Sequence, residues 1–332
     1  MTTLSKNEQG ILATLAYFDV FDYPLREEEI LRWFYVTSPS EHWEKSTVQE
    51  TLRHSQALSE YIEQREGWYT LKHRGQLIER RVQRRRISMR KWRIARFATR
   101  LLRVIPFIRM VAVCNTLALN NAREESDIDF FIIARQGRMW TMRFLTTTLL
   151  DFARIRRKGA AIKDKICLSF YVTDAAMNLE PLRLQPVDPH FVYWADQFVL
   201  LYDTAAVFQD YQQANVWGKQ YLPFAFSQSS QPQIRDTLLT SMMKQSAEWI
   251  LGGRIGDWFE KFFRRIQLRK MDRNVHSRAW ENDSQVIISD NILKFHEQDR
   301  REEYRRLFEG RLWEILRKPR PVVGEEHRPP LE

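Results

Sequence analysis

The sequence predicts a mixed α/β protein: a central α/β (α+β) region with a mixed sheet, preceded by a small helix-and-hairpin unit and followed by a helical C-terminal region. Three observations predict it. Apolar residues recur at helical spacing near the start, where Ile11, Leu12, Leu15 and Phe18 share one face. Three β-rich runs, Ile108 to Cys114, Ile128 to Ala134 and Ile166 to Thr173, are interleaved with helical patterns. Finally, 332 residues exceed one core of about 100–200 residues. A composition of 44% hydrophobic, 28% charged and 13% aromatic residues argues against extended disorder. The expected divisions are 1–73, 74–104, 105–212 and 213–332.

In residues 1–73, Pro24 breaks the chain after the first helix, and Glu27 to Trp33 reads as a second. Ser46 with Gln49 three residues on reads as a capping box for a third helix through Leu58. Tyr61 to Leu71 contains two β-prone runs around Gly67, a hairpin signal. Three helices and a hairpin resemble a winged helix-turn-helix in their order, and such a unit serves either as a DNA reader or as a packing module.

Residues 74–104 read as one long basic helix or two in series, stopped by Pro106. The apolar stripe is Leu77, Ile78, Val82, Ile87, Trp92, Ile94, Phe97, Leu101 and Leu102. From Lys72 to Arg103 there are thirteen Lys or Arg and one acid, Glu79. That is +12 within a chain of net +10, so the rest sums to −2. A local positive segment suits a polyanion, and the expected partner is nucleic acid along Arg80 to Arg100; a solvated helix face is the plainer alternative.

Beyond the first strand, Met139 to Ile155 and Pro189 to Leu201 read as helices, and Gln213 to Gln233 as a loop or hinge. Residues 234–316 read as helices packed through Trp249, Trp258, Phe259, Phe262, Phe263, Leu307 and Trp313. The proline-containing tail from Lys318 reads as frayed. Ser289, Asp290, Asn291, His296 and Asp299 have no metal-site spacing and read as capping or surface residues; His42, His190 and His276 stand isolated. Trp258 to Arg273 is basic and aromatic, and packing on the core is preferred to lying on a membrane.

The first residues lack the apolar segment of a signal peptide, and no apolar run approaches about 18 residues, so a cytoplasmic protein without membrane association is expected. The two cysteines, Cys114 and Cys167, fall in predicted strands and read as free thiols. Oligomeric state is left open.

The chemistry concentrates in Asn115-Thr116, a stretch of ten residues from Leu117 to Ser126, and then Asp127-Ile128-Asp129 at the start of an apolar strand. Asp127 and Asp129 are two apart, so their carboxylates project from one side and can share a divalent metal. Phosphoryl and nucleotidyl transfer needs such a centre, because metal ions offset charge on the phosphate oxygens and the leaving pyrophosphate.

These residues resemble the DNA polymerase beta-like nucleotidyltransferase superfamily over roughly residues 105 to 205. The shared pattern is a strand, a small polar turn opening a short helix, here Leu117 to Ala122, and an acid-hydrophobic-acid strand. The resemblance implies a nucleotidyltransferase-like core, a nucleoside triphosphate as substrate, Mg²⁺ on Asp127 and Asp129 as catalytic metal ligands, and nucleotide contacts from Asn115, Thr116 and Ser126. Two departures accompany it. Asn115 and Thr116 stand where the family has glycine and serine; Asn tolerates positive φ and Thr keeps a hydroxyl for phosphate. The family's third carboxylate has no counterpart in the strand Ile166 to Thr173, where Ser169 is expected at that position, with Asp164 and Asp174 flanking. The expected function is metal-dependent nucleotidyl transfer to an unspecified acceptor; the alternative is a catalytically impaired relative that binds nucleic acid or acts as a scaffold.

Overall fold

Ser5 starts the first helix: its hydroxyl accepts the Glu8 N–H at 3.3 Å while the Glu8 carboxylate accepts the Ser5 N–H at 2.6 Å, a reciprocal cap. This is a computed structural model, and it describes residues 4–36, 42–204, 206–226, 233–272, 286–295 and 299–317. His276, His296 and the tail from Lys318 lie outside the described residues.

The N-terminal unit comprises α1 (Lys6–Asp19), β1 (Leu25–Arg26), α2 (Glu27–Arg32), α3 (Lys45–His54), β2 (Ile62–Arg65) and β3 (Trp68–Leu71). Its three strands form an antiparallel sheet in the order β1-β3-β2. Glu66 and Gly67, with φ of 53° and 75°, make the β2–β3 turn, and two successive positive φ values match the twist of a tight hairpin. The capping box expected at Ser46 is not formed: α3 begins at Lys45, so Ser46 already lies in its first turn. Nor does α3 reach Leu58, because the Ser55 hydroxyl donates to Glu8 at 2.5 Å and accepts the Leu58 N–H at 3.2 Å, drawing the chain into a 3-10 turn.

One unbroken helix, α4 (Leu77–Leu102), follows. Its buried positions are Leu77, Arg84, Ser88, Lys91, Ala95, Ala98, Thr99 and Leu102, whereas Val82 and Phe97 from the predicted stripe are exposed. The seam is polar because partners await it. Arg81 pairs with Glu29 at 2.6 Å and lies 3.7 Å over the Tyr23 ring; Arg80 and Arg84 reach Asp22; and Lys91 reaches Asp164 at 2.7 Å. Arg85, Arg86, Arg93 and Arg100 remain exposed.

The second sheet has six strands, β4 (Ile108–Val113), β5 (Ile128–Ala134), β6 (Ile166–Thr173), β7 (Val199–Asp203), β8 (Val286–Ile288) and β9 (Ile292–Phe295), in the order β7-β4-β5-β6-β9-β8. Only β5 and β6 run parallel. Its helices are α5 (Asn115–Ala118), α6 (Met139–Phe152), α7 (Pro189–Asp196) and α8 (Val207–Ala214). On one face Val111, Val113, Phe130 and Ile132 pack with Ala95 and Ala98 of α4 and Met142 of α6. On the other, Met110, Phe131, Ile133 and Phe170 pack with Trp194 of α7 and Tyr211 of α8.

Three expectations are corrected here. The helix predicted through Leu201 ends at Asp196, and Val199 to Asp203 is instead a strand paired with β4. The segment expected as a loop or hinge over Gln213 to Gln233 is packed as far as residue 226, with a 3-10 turn at Val216–Gln220: Asn215 is fully buried, accepting the Leu179 N–H at 2.9 Å, and Leu222 joins the core, while 227–232 lie outside the described residues. The C-terminal region is helical in α9 (Leu238–Ile250), α10 (Arg254–Asp272) and α11 (Arg301–Arg317), yet it also supplies β8 and β9. Ser289, Asp290 and Asn291 form the β8–β9 connection between a β-branched run, Val286 to Ile288, and Ile292 to Phe295, which complete the sheet beside β6.

The core of the N-terminal unit extends into the rest of the protein through Val192, Tyr193, Leu222, Phe226 and Phe308. Among the described residues, no helix is long and apolar enough to cross a membrane.

Candidate active site

Strand β4 delivers Cys114 beside β5, where the Cys114 N–H donates to the Asp129 carbonyl at 3.1 Å. The next residue, Asn115, has φ of 58°, a left-handed turn that asparagine adopts at low cost among non-glycine residues. Its side chain is used on both sides: Oδ1 accepts the Trp194 indole N–H at 2.7 Å, and the amide bonds the Asp129 carboxylate. The helix after it is shorter than expected, ending at Ala118 instead of Ala122. Asn120 turns left-handed with φ of 54°, and Asn121 faces Arg84 and the Phe21 carbonyl.

Lys91 shapes the approach to β5. Its fully buried ammonium donates to the carbonyls of Glu124 at 3.1 Å and Ser126 at 2.7 Å as well as to Asp164. Asp127 and Asp129 then emerge on the same side, and their oxygens lie with Cys167 Sγ within 4.8 Å of one another. The register explains the thiol. Asp129 stands opposite Cys167, but Phe131 stands opposite Phe170, so β6 carries one extra residue between them. The bulge moves Ser169 out of the position expected for it and sends Tyr171 to the opposite core, while Ser169 hydrogen bonds Cys167. Cys167 therefore occupies the third position.

Neither flanking acid joins the pair. Asp164 is held by Lys91 and by Arg90 at 3.1 Å, and Asp174, at the far end of β6, accepts the Gln136 N–H at 2.8 Å.

Burial and the neighbouring Asp127 push the Asp129 carboxyl up to about 6, against hydrogen bonds from Asn115 and Cys167. Arg157, from the loop before β6, donates to Asp127 at 2.6 Å and approaches Cys167 Sγ at 3.9 Å. Burial and the two acids push both thiols up, so neither is a ready nucleophile.

The pair opens into a cavity of about 340 Å³ that Asn115, Thr116 and Ser126 also line. Phe170 and Trp194 form an aromatic wall, stacked at 5.2 Å between centroids, and Lys294, Asp299 and Arg301 add a charged network. His190 is part of the same cavity: its Nδ1 lies 3.0 Å from the Tyr17 hydroxyl, and burial pushes it down to about 4, which keeps it neutral near pH 7.

Sequence reasoning found Asp127, Asp129, Asn115, Thr116 and Ser126, and the fold gathers all five. It missed Arg157, Cys167, Trp194 and the Lys294 to Arg301 group. Asp299 and His190 also line the cavity, although the sequence reads the first as a capping or surface residue and the second as isolated, and Cys167 is the polar residue two before Ser169. Two carboxylates on one side fit a hard divalent ion in donor type and charge, with Arg157 holding the place of such an ion on Asp127.

Fold and site together define a mixed α/β protein with a paired-carboxylate cavity between its two sheets' connecting helices and strands. Compared with models of protein families, with curated proteins and with solved structures, the chain matches none.

Proposed function

We propose that the protein is a metal-dependent nucleotidyltransferase that binds a nucleoside triphosphate through Asp127 and Asp129. The observation that carries this reading is the convergence of the two acids at the mouth of an aromatic and cationic cavity, just after a turn held open by Asn115. In this reading residues 105 to 205 form a nucleotidyltransferase-like core and residues 1–73 a winged-helix-like domain. The β1-β3-β2 sheet behind three helices supports the second assignment.

Mg²⁺, when bound, would offset charge on the phosphate oxygens and the leaving pyrophosphate. The chain's own residues do the rest. Asp127 and Asp129 hold the ion, and Asn115 fixes Asp129. Trp194 and Phe170 offer flat apolar area for a base, and the Thr116 hydroxyl is free to bond phosphate at the exposed turn. Arg157, paired with Asp127, would supply a guanidinium for a phosphate oxygen beside the acids.

Calorimetric titration of each nucleoside triphosphate with Mg²⁺ tests the proposal. Metal-dependent binding that disappears in the Asp127→Asn, Asp129→Asn double variant supports it, and unchanged affinity in that variant overturns it.

A specific observation favours a second reading, a non-catalytic binding protein: Cys167 replaces the third acid, and no other carboxylate among the described residues joins the pair. Without a carboxylate to take the acceptor's proton, nucleotide binding outlasts transfer. Exposed Arg85, Arg86, Arg93 and Arg100 would then contact nucleic acid. Pyrophosphate release separates the readings, since only the enzyme produces it.

A further inference from the structure

Helices α9 and α10 are amphipathic in the inverted sense. On α9 the inward residues are Thr240, Lys244 and Glu248. Lys244 donates to the Ile108 carbonyl at 2.6 Å and to the Tyr202 hydroxyl at 3.0 Å, and Glu248 accepts the Phe107 N–H at 2.7 Å and clamps Arg109. Its outward residues are Leu238, Leu239, Met242, Met243, Trp249 and Ile250, with Leu238 87% and Trp249 84% exposed. On α10, Glu260 accepts the N–H groups of Trp140 and Thr141 at 2.8 Å each, and Gln267 donates to the Trp140 carbonyl. Phe263 stacks on Phe144 at 4.1 Å, whereas Ile255, Trp258, Phe262 and Ile266 face outward at helical spacing. The sequence reading assigned Trp249, Trp258 and Phe262 to packing; the inward positions are instead taken by polar groups that the sheet edge and the α6 N-terminus require.

Charge selects the occupant of this face. Arg254, Lys261, Arg265, Arg269 and Lys270 are exposed on α10 beside the apolar stripe. The two acids between Arg254 and Lys270 are directed elsewhere, Glu260 to the α6 cap and Asp257 to Arg138 at 2.7 Å. Apolar residues with exposed tryptophans, rimmed by cations, match the boundary between anionic headgroups and acyl chains. A second copy meeting this face symmetrically would set like charges against one another.

We propose that α9 and α10 form a peripheral membrane-binding surface for anionic lipid bilayers. This departs from the expectation of no membrane association, and it is independent of the nucleotide site. Binding is interfacial, with the helices lying in the headgroup region and not spanning the bilayer.

Co-sedimentation of the full chain with vesicles of phosphatidylcholine alone or mixed with phosphatidylserine tests it. Binding is expected only to the anionic vesicles. Trp249→Ser, Trp258→Ser, Phe262→Ser leaves net charge and the inward hydrogen bonds of Lys244, Glu248, Glu260 and Gln267 unchanged and, among the described residues, removes ring contacts only to Phe259 and Phe263. It should weaken binding at least about tenfold, as removal of buried apolar area requires, while far-ultraviolet spectra and urea unfolding check that the variant is folded. Arg265→Glu, Arg269→Glu should weaken binding further and flatten what remains of its dependence on salt, because fewer cations face the anionic surface. Absence of binding, or full binding by the serine variant, overturns the proposal, the second result meaning diffuse attraction by a basic protein. A lipid-free dimer in sedimentation velocity that the serine variant abolishes also overturns it, in favour of a second copy.

Discussion

Arg157 donates to Asp127 at 2.6 Å across the mouth of the acid pair, so a half-exposed cation on the loop before β6 and an anion beside β5 neutralise one another. A metal ion would compete with that guanidinium for the same oxygen. Arg157→Gln should therefore raise Mg²⁺ affinity of the nucleotide-free protein severalfold, while costing less than about 1 kcal/mol of stability, since Arg157 is partly exposed and screened. Calorimetric Mg²⁺ titration and urea unfolding measure the two effects; weaker Mg²⁺ binding would instead make Arg157 a supporting residue of the metal site.

Asp129 gives the apo protein a pH signature. A carboxyl whose folded pKa lies near 6, above its unfolded value, stabilises the fold fully only below the unfolded value; that contribution is lost as pH rises through 6. Asp129→Asn should consequently stabilise the metal-free protein by roughly 1–3 kcal/mol above about pH 7 and by little near about pH 4. Thermal melts across that range check it. Adding Mg²⁺ at neutral pH should raise the melting temperature of the wild type and leave the variant unmoved.

Asn115 combines a left-handed backbone with two side-chain hydrogen bonds, and substitutions can separate them. Asn115→Gly keeps the turn and loses the bonds; Asn115→Ala loses both. Alanine should cost about 1 kcal/mol more than glycine in urea unfolding, and both should weaken nucleotide binding by displacing Trp194 and Asp129. Equal costs would mean that the turn is not strained.

Lys91 is the buried anchor of the loop that presents Asp127. Lys91→Met should destabilise the protein by about 3 kcal/mol, because Asp164 and two carbonyls lose their donor. Lys91→Arg should not rescue it, since a planar fork cannot match three converging acceptors around one ammonium. Guanidinium unfolding of both variants decides this.

The strands β5 and β6 were legible to the residue, because uninterrupted apolar runs bounded by polar turns leave little choice of period. The acids were legible for the same reason, sitting at the start of one such run. Residues that depend on long-range pairing were not. Nothing local to Cys167 indicates that Ile128 pairs with Ile166, which sets the thiol opposite Asp129, or that β6 gains a residue after it, which turns Phe170 instead of Ser169 to the side of Phe131. The buried seam of α4 was misread because Arg81, Arg84 and Lys91 become acceptable inside only when Glu29, Asp22 and Asp164 arrive from distant segments. The β8–β9 hairpin was hidden within a region whose aromatic and charged content suggested helix.

The cavity draws on Tyr17, Asp129, Trp194 and Tyr304, residues separated by most of the sequence. Asp127 and Asp129 precede Lys294 and Arg301 in the chain by more than half of the sequence that follows them, so one wall of the chamber is the last part of it to be synthesised. Enclosure of the acid pair thus hangs on the C-terminal segment, and loss of the chain from Lys294 onward would leave the carboxylates open to solvent on that side.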